Sequence, residues 1–198
     1  LIEAGMDVVR LNFSHGTHED HLEVINHVTY INEKYNLHIG LLADLHFETP
    51  GDLTPDDMVI AVRVDGEEVG RIGPGLVVLL GVGRDDREDE ADYLADKVLN
   101  LRIFPDDSGR MNRSLADTGG ALLLVPQFTL AADTRSGMRP GFSTAAGPDE
   151  GRRLFDYLVR QAQMRHAQVQ SGRFGADMQV SLLNDGPVTF WLEVNPGR

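Results

Sequence analysis

The stretch IGPGLVVLLGVGRDDREDEADYLADKVLNL (72–101) decides the architecture of the longer part of this chain. Gly73-Pro74-Gly75 is a turn signal that opens into the apolar run Leu76–Val82. After that run the period changes. Ala91, Leu94, Ala95, Val98 and Leu101 recur at helical spacing, which predicts an amphipathic helix from Asp86 to Leu101 with an acidic first turn that favours its dipole. Upstream, Ile60–Val64 reads as a strand, Asp65-Gly66 as a tight turn and Val69–Ile72 as the returning strand. Downstream, Ala121–Val125 and Phe128–Ala131 read as strands around Pro126-Gln127. Pro148, Asp149 and Glu150 open a second helix, apolar at Leu154, Phe155, Leu158, Val159 and Ala162. Met178–Leu183 and Val188–Val194 are expected strands on either side of Asn184-Asp185-Gly186-Pro187. Two main helices and several strands make one α/β or α+β domain, of which α/β is the expected class.

The rest of the chain differs in charge and composition. Of 18 basic and 31 acidic side chains in 198 residues, residues 1–57 hold 2 and 11, and six of the seven histidines lie in the first 46 positions. The richest turn segment, TPGDLTPDD (49–57), marks the boundary: a fragment over 1–48, a linker over 49–57 and a domain over 58–198. Val8–Phe13 reads as a strand and Thr17 as a helix cap answered by Asp20. The helix itself is predicted from His18 to Tyr35, with Leu22, Ile25, Val28 and Ile31 on one face, and Ile39–Leu45 is the next strand. One βαβ unit does not enclose a core by itself.

LIEAGMDVVRLNFSHGTHEDH, followed by GLLADL, resembles the early barrel strands of pyruvate kinase, so residues 1–45 are a βαβ fragment resembling part of a TIM barrel. The resemblance implies phosphate binding by Arg10 and potassium binding by Asn12, Ser14 and Asp44. His46-Phe47-Glu48 replace the Gly-Pro-Lys continuation of that family, and its catalytic lysine and metal carboxylates are missing from this sequence. Phosphoryl transfer depends on positioning and metal-assisted charge stabilisation, so the fragment is expected to be inert. His15, His18 and His21 have a spacing that suits either a zinc pair or an ordinary polar helix start.

Composition narrows the chemistry of the domain. There is no cysteine, which excludes a disulfide scaffold, thiolate metal sites and a cysteine nucleophile and suits a reducing cytoplasm. The net charge of −13 argues against non-specific nucleic-acid binding by bulk charge, so DNA is not an expected partner. No apolar run is long enough to cross a bilayer, and a membrane partner is not expected. His166, the only histidine after position 46, sits among Gln163, Arg165 and Gln168 and reads as a solvated side chain rather than a base. Neither Gly73-Pro74-Gly75 nor Gly81-Val82-Gly83 has the lysine and length of a phosphate loop. No cofactor or metal is expected. If the domain is an enzyme, backbone groups, hydroxyls, amides or the substrate itself must do the work.

Three strings then point to a family. PQFTLAAD (126–133), GMRPGFS (137–143) and NDGPVTFWLEV (184–194), with GRFGADMQVSL between, resemble D-aminoacyl-tRNA deacylase from about Val62 to Val194. The resemblance implies a homodimer, with active sites at the interface, that hydrolyses the ester joining a D-amino acid to the 3′-terminal adenosine of tRNA. It assigns Gln127, Phe128, Thr129 and Leu130 to the adenosine and aminoacyl pocket. It makes Gly186-Pro187 a cis pair that reaches into the partner's pocket and excludes L-amino acids by a clash. The same pattern takes in Pro126, Arg139, Met178, Asn184, Val188 and Thr189 as substrate-binding positions. Gln127, Phe128 and Thr129 are the expected catalytic group, with backbone amides near Phe128 and Thr129 polarising the ester and the adenosine 2′-hydroxyl assisting water. Phe128 is either core or a base-stacking platform, and Arg139 either contacts phosphate or holds its loop. Pro126 stands where the family usually has serine, and Met58-Val59-Ile60 enters where the family carries a longer first strand.

Overall fold

The computed structural model describes residues 8–12, 40–44, 59–135, 137–184 and 188–194, and the chain divides into two units, Leu1–Asp52 and Leu53–Arg198. In the first unit β1 (Val8–Asn12) pairs in parallel with β2 (Gly40–Asp44), Val8 opposite Gly40 and Asn12 opposite Asp44. Parallel neighbours require a crossover of a dozen or more residues, and the intervening sequence has that length. The expected helix His18–Tyr35, the histidines at 15, 18 and 21, and the linker 49–57 lie outside the described residues.

The second unit begins with β3 (Ile60–Val64) and β4 (Glu67–Ile72), joined by Asp65 and Gly66 at φ of 51° and 81°. Two consecutive positive φ values give the primed turn whose twist suits a two-residue hairpin. Next come β5 (Gly75–Leu80), α1 (Glu88–Asn100), the short pair β6 (Phe104–Pro105) and β7 (Met111–Arg113), and the single-turn α2 (Leu115–Thr118). They are followed by β8 (Ala121–Pro126), α3 (Pro148–Arg165), β9 (Val169–Ser171) and β10 (Gln179–Ser181). One sheet is parallel with order β5-β8-β9, and a second is antiparallel with order β10-β3-β4.

Strand β8 organises the layers. Alternate residues point to opposite faces of a strand. Leu122 and Leu124 pack with Ala91, Ala95 and Val98 of α1 and Phe155, Leu158 and Ala162 of α3. Ala121, Leu123 and Val125 pack with Ile60, Val62 and Ile72 of the antiparallel sheet. The result is three layers: helices, parallel sheet, antiparallel sheet. A strand covered on both faces reads as an unbroken apolar run, which is why ALLLV contains no polar residue. Gly75 allows β5 to lie against β8, since a Cβ there would come within 1.9 Å of the Ala121 carbonyl oxygen. The helices are tied across their outer edge by Asp92, which accepts from Tyr157 Oη at 3.0 Å and from Arg165 at 2.8 Å. The neighbouring Asp92 carboxylate raises the Tyr157 hydroxyl above the usual tyrosine range.

Three expected strands are corrected. Phe128–Ala131 is a 3-10 turn, because Pro126 ends the ladder and the chain closes with i→i+3 bonds from Leu130 N–H to Gln127 O and Ala132 N–H to Thr129 O. The strand expected over 178–183 is reduced to Gln179–Ser181, the three residues that pair with β3. Residues 188–194 form no strand, having no ladder partner among the described residues. Among those residues no helix is long and apolar enough to cross a membrane.

Candidate functional site at the carboxyl ends of β5 and β8

Ligands of α/β sheets bind beyond the carboxyl ends of the parallel strands, where loops diverge. Here that place is occupied by the turn after β8. Gln127 N–H donates to Leu80 O at 2.7 Å, which fastens the start of the turn to the end of β5. The chain then coils tightly over Gly81. A Cβ at position 81 would lie 2.9 Å from Leu130 Cβ and 3.3 Å from Gln127 O, so only glycine permits this approach. Leu130 is half-buried against that glycine, whereas Phe128 and Thr129 face outward.

The exposed side of the turn presents one amide, one hydroxyl and one ring. Gln127 Nε2 donates to Thr129 Oγ1 in a short hydrogen bond. With its oxygen accepting from the amide, the Thr129 hydroxyl has its own proton to offer outward. Its described partner is therefore an amide, not a carboxylate or an imidazole. The N–H groups of Phe128 and Thr129 precede the first i→i+3 bond of the turn, so the turn itself does not use them. Phe128 is 60% exposed, which settles it as surface rather than core, and its ring lies 4.9 Å from that of Phe142 at 52°.

A second segment closes the other side. Gly172 N–H donates to Leu124 O at 2.8 Å, and a Cβ at Gly172 would meet Met178 Sδ at 2.8 Å and Pro126 Cδ at 3.4 Å. Pro126, Gln127, Phe128, Thr129, Leu130 and Met178 are thus brought to one end of the sheet. Arg139 stands exposed on the following loop and makes no hydrogen bond or ion pair among the described residues. Asn184 Nδ2 donates to Thr189 Oγ1 at 3.2 Å, with Val188 half-buried beside them. No described hydrogen bond joins that pair to the turn, and Gly186 and Pro187 lie outside the described residues. Among the described residues no three His, Asp or Glu side chains converge as a metal site.

His166 has a different role from the solvated one expected. Its Nε2 is 2.7 Å from Gly120 O, and a carbonyl only accepts, so Nε2 carries the proton. The bond joins the end of α3 to the start of β8, the end of the strand opposite the turn.

Sequence reasoning did not single out Gly81, Gly172, Phe142 or Thr144. Phe142 was visible only as part of GMRPGFS, and Gly81 only as a rejected phosphate loop. Thr144 donates its hydroxyl to Ala131 O and so secures the end of the turn.

Comparison with known proteins identifies relatives of both parts of the chain. Residues 60–193 match the family model for D-Tyr-tRNA(Tyr) deacylase, and residues 1–52 match that for the pyruvate kinase barrel domain. A D-aminoacyl-tRNA deacylase of Thioalkalivibrio sulfidiphilus is 63% identical over 138 residues, covering 70% of this chain and 93% of its own length. One from Pseudomonas putida is 64% identical over 133 residues, covering 67% and 92%. A solved structure titled c-Myc DNA Unwinding Element Binding Protein superposes with a TM-score of 0.66 at 35% identity, over 70% of this chain and 94% of its own. Another, titled as a probable eukaryotic D-amino acid tRNA deacylase, shares the fold with a TM-score of 0.53 at 17% identity, over 63% and 89%. With the family model matched across 60–193, the chain belongs to the D-Tyr-tRNA(Tyr) deacylase family.

Proposed function

We infer that this chain hydrolyses the ester between a D-amino acid and the 3′-terminal adenosine of tRNA, a chiral proofreading step that releases free tRNA and D-amino acid. The observation that carries the reading is the exposed turn 127–129, with two N–H groups unused by the turn and a hydroxyl held by an amide, in a chain above 60% identical to proteins of that name. The N–H groups of Phe128 and Thr129 polarise the ester carbonyl and receive the charge that develops on its oxygen. Water adds to the carbonyl carbon, the bond to the ribose 3′-oxygen breaks, and that oxygen takes a proton. Among the described residues the Thr129 hydroxyl is bonded to the Gln127 amide and to no general base, so it positions rather than attacks. Proton transfer falls to water and the neighbouring 2′-hydroxyl of the substrate. No metal or cofactor enters this scheme.

Stereochemical choice belongs to Gly186-Pro187 of a second copy, inserted at the interface of a homodimer, with Asn184, Val188 and Thr189 as substrate-binding positions. Leu182, Leu183, Phe190, Trp191 and Leu192 support that reading, because each leaves more than a third of its surface exposed. A cluster of large exposed apolar side chains is a common sign of an interaction surface. We place the enzyme in the cytoplasm, where charged tRNA is found. Residues 1–48 are a passenger fragment, 49–57 its linker and 58–198 the working domain.

The test is release of amino acid from tRNA charged with D- or L-tyrosine. Rapid release of the D form with the L form spared is the expected result. Equal rates for both, or none for either, would remove the reading.

A further inference from the structure

Between Thr134 and Pro148 the sequence holds two arginines and no carboxylate, in a chain of net charge −13. Arg135 is committed to Asp133, donating from Nε at 2.7 Å and from Nη2 at 2.6 Å. Arg139 is not committed, being exposed with no hydrogen bond or ion pair among the described residues. The loop keeps its shape without it. Asp133 and Gly141 exchange backbone bonds of 2.7 and 2.8 Å, Ala145 N–H donates to Phe142 O at 3.1 Å, and Arg84 N–H donates to Thr144 O at 2.9 Å. The Thr144 hydroxyl joins the loop to the turn at Ala131 O. Among the described residues, the reading of Arg139 as the residue that holds its loop therefore has no bond to support it.

Two apolar groups share this surface. Met138 is fully exposed at 101%, and Phe142, 38% exposed, sets its ring against Phe128. A cationic residue and an exposed aromatic ring three positions apart on one fastened loop are the kind of groups that bind single-stranded nucleic acid, through phosphate attraction and base stacking. The occupant follows from position. When the terminal adenosine holds its ester at Gln127–Thr129, the preceding phosphodiesters must leave past the surface beside the turn.

We propose that the loop 137–142 binds the unpaired nucleotides preceding the terminal adenosine of tRNA, with Arg139 on a phosphodiester and Met138 and Phe142 against a base. This rests on the tRNA-end reading above and extends it from the terminal nucleoside to the strand that carries it. The loop then selects a polynucleotide 3′ end over a free aminoacyl nucleoside.

Calorimetric titration of the full chain with two probes tests the proposal. One probe is adenosine with a D-amino acid in non-hydrolysable 3′-amide linkage, and the other is the cytidine-cytidine-adenosine trinucleotide with the same linkage. Arg139→Gln should weaken the trinucleotide about tenfold and reduce the slope of log affinity against log salt by about 0.7, the change for one phosphate contact on a single strand. The same variant should leave the nucleoside within about twofold, and Arg139→Lys should restore most of the slope. Met138→Ala should weaken the trinucleotide by a smaller factor with the slope unchanged. Equal weakening of both probes by Arg139→Gln, or wild-type affinity and slope for the trinucleotide, would overturn the proposal. Wild-type protein that binds neither probe would overturn the tRNA-end reading with it, whereas wild-type binding that Arg139 does not tune would remove this proposal alone.

Discussion

Ala121–Val125 and Val188–Leu192 are two short, largely apolar segments of one domain, yet Leu123 is wholly buried and Trp191 is 62% exposed. The first lies between β5 and β9 and is covered by helices on one face and a second sheet on the other. The second has no ladder partner among the described residues. Apolar content alone therefore does not fix the state of a segment, because backbone groups need partners before a strand can form. Under the proposed homodimer the difference also divides labour: the buried strand carries the stability, and the exposed segment is the surface offered to a second copy.

The largest expected effect breaks the comparison from its buried side. Leu123→Ala removes side-chain volume from a site with no exposed surface and should cost about 2–5 kcal/mol in denaturant unfolding, independent of protein concentration. Trp191→Ala should cost within about 0.5 kcal/mol for the monomer, its larger effect appearing only as a weaker dimer at sedimentation equilibrium. A concentration-independent loss at Trp191 matching that at Leu123 would place both segments in one core.

Gly81→Ala sharpens the boundary between scaffold and site. Its Cβ would press on Leu130 and Gln127 O, moving the turn that holds Thr129 while leaving β8 paired. Single-turnover hydrolysis should fall by about tenfold or more with little change in melting, since small misplacements of reacting groups cost rate steeply.

Smaller effects belong to the scaffold alone. His166→Ala removes the bond to Gly120 and should cost about 1 kcal/mol in thermal or denaturant unfolding, with deacylation rates retained. Ser114→Ala should cost a similar amount, about 1 kcal/mol, by uncapping α2. That cap also sets a pH dependence. The Ser114 backbone N–H, at 2.8 Å, and the Ser114 hydroxyl hold the Asp117 carboxyl below its usual range. Its folded-state pKa is depressed, so its contribution is full above the unfolded carboxylate pKa and is lost as pH falls through the folded value. Melting followed into that acid range should show a shallower loss for Ser114→Ala than for wild type.

The helices and the strand Ala121–Val125 were legible because period and turn signals act locally, whereas the parallel order β5-β8-β9 was not. Ala91, Ala95 and Val98, and Leu154, Phe155, Leu158 and Ala162, are buried as their spacing requires. The primed turn at Asp65-Gly66 was equally plain. The turn at Phe128–Ala131 was not, because its apolar residues mimic a strand and only the loss of a donor at Pro126 marks the end of the ladder. Residues brought to the site by packing, such as Gly81 under Leu130 and Phe142 against Phe128, carry no local signal at all. Gln127 and Thr129 were singled out through motif resemblance, and their hydrogen bond to each other had no signal in the sequence.

The central claim is that backbone polarisation and the substrate's own 2′-hydroxyl carry the hydrolysis, with Thr129 in support. Single-turnover rates on D-aminoacyl-tRNA with the ester fixed at the 3′ position test it directly, comparing wild type with Thr129→Ala and a normal terminus with its 2′-deoxy form. Thr129→Ala should retain measurable turnover, since losing one hydroxyl hydrogen bond costs about 0.5–1.5 kcal/mol. The 2′-deoxy substrate should react far more slowly, because the missing group acts in the transition state. A Thr129→Ala enzyme without turnover, beside a 2′-deoxy substrate that reacts at the normal rate, would make threonine the nucleophile and contradict the account.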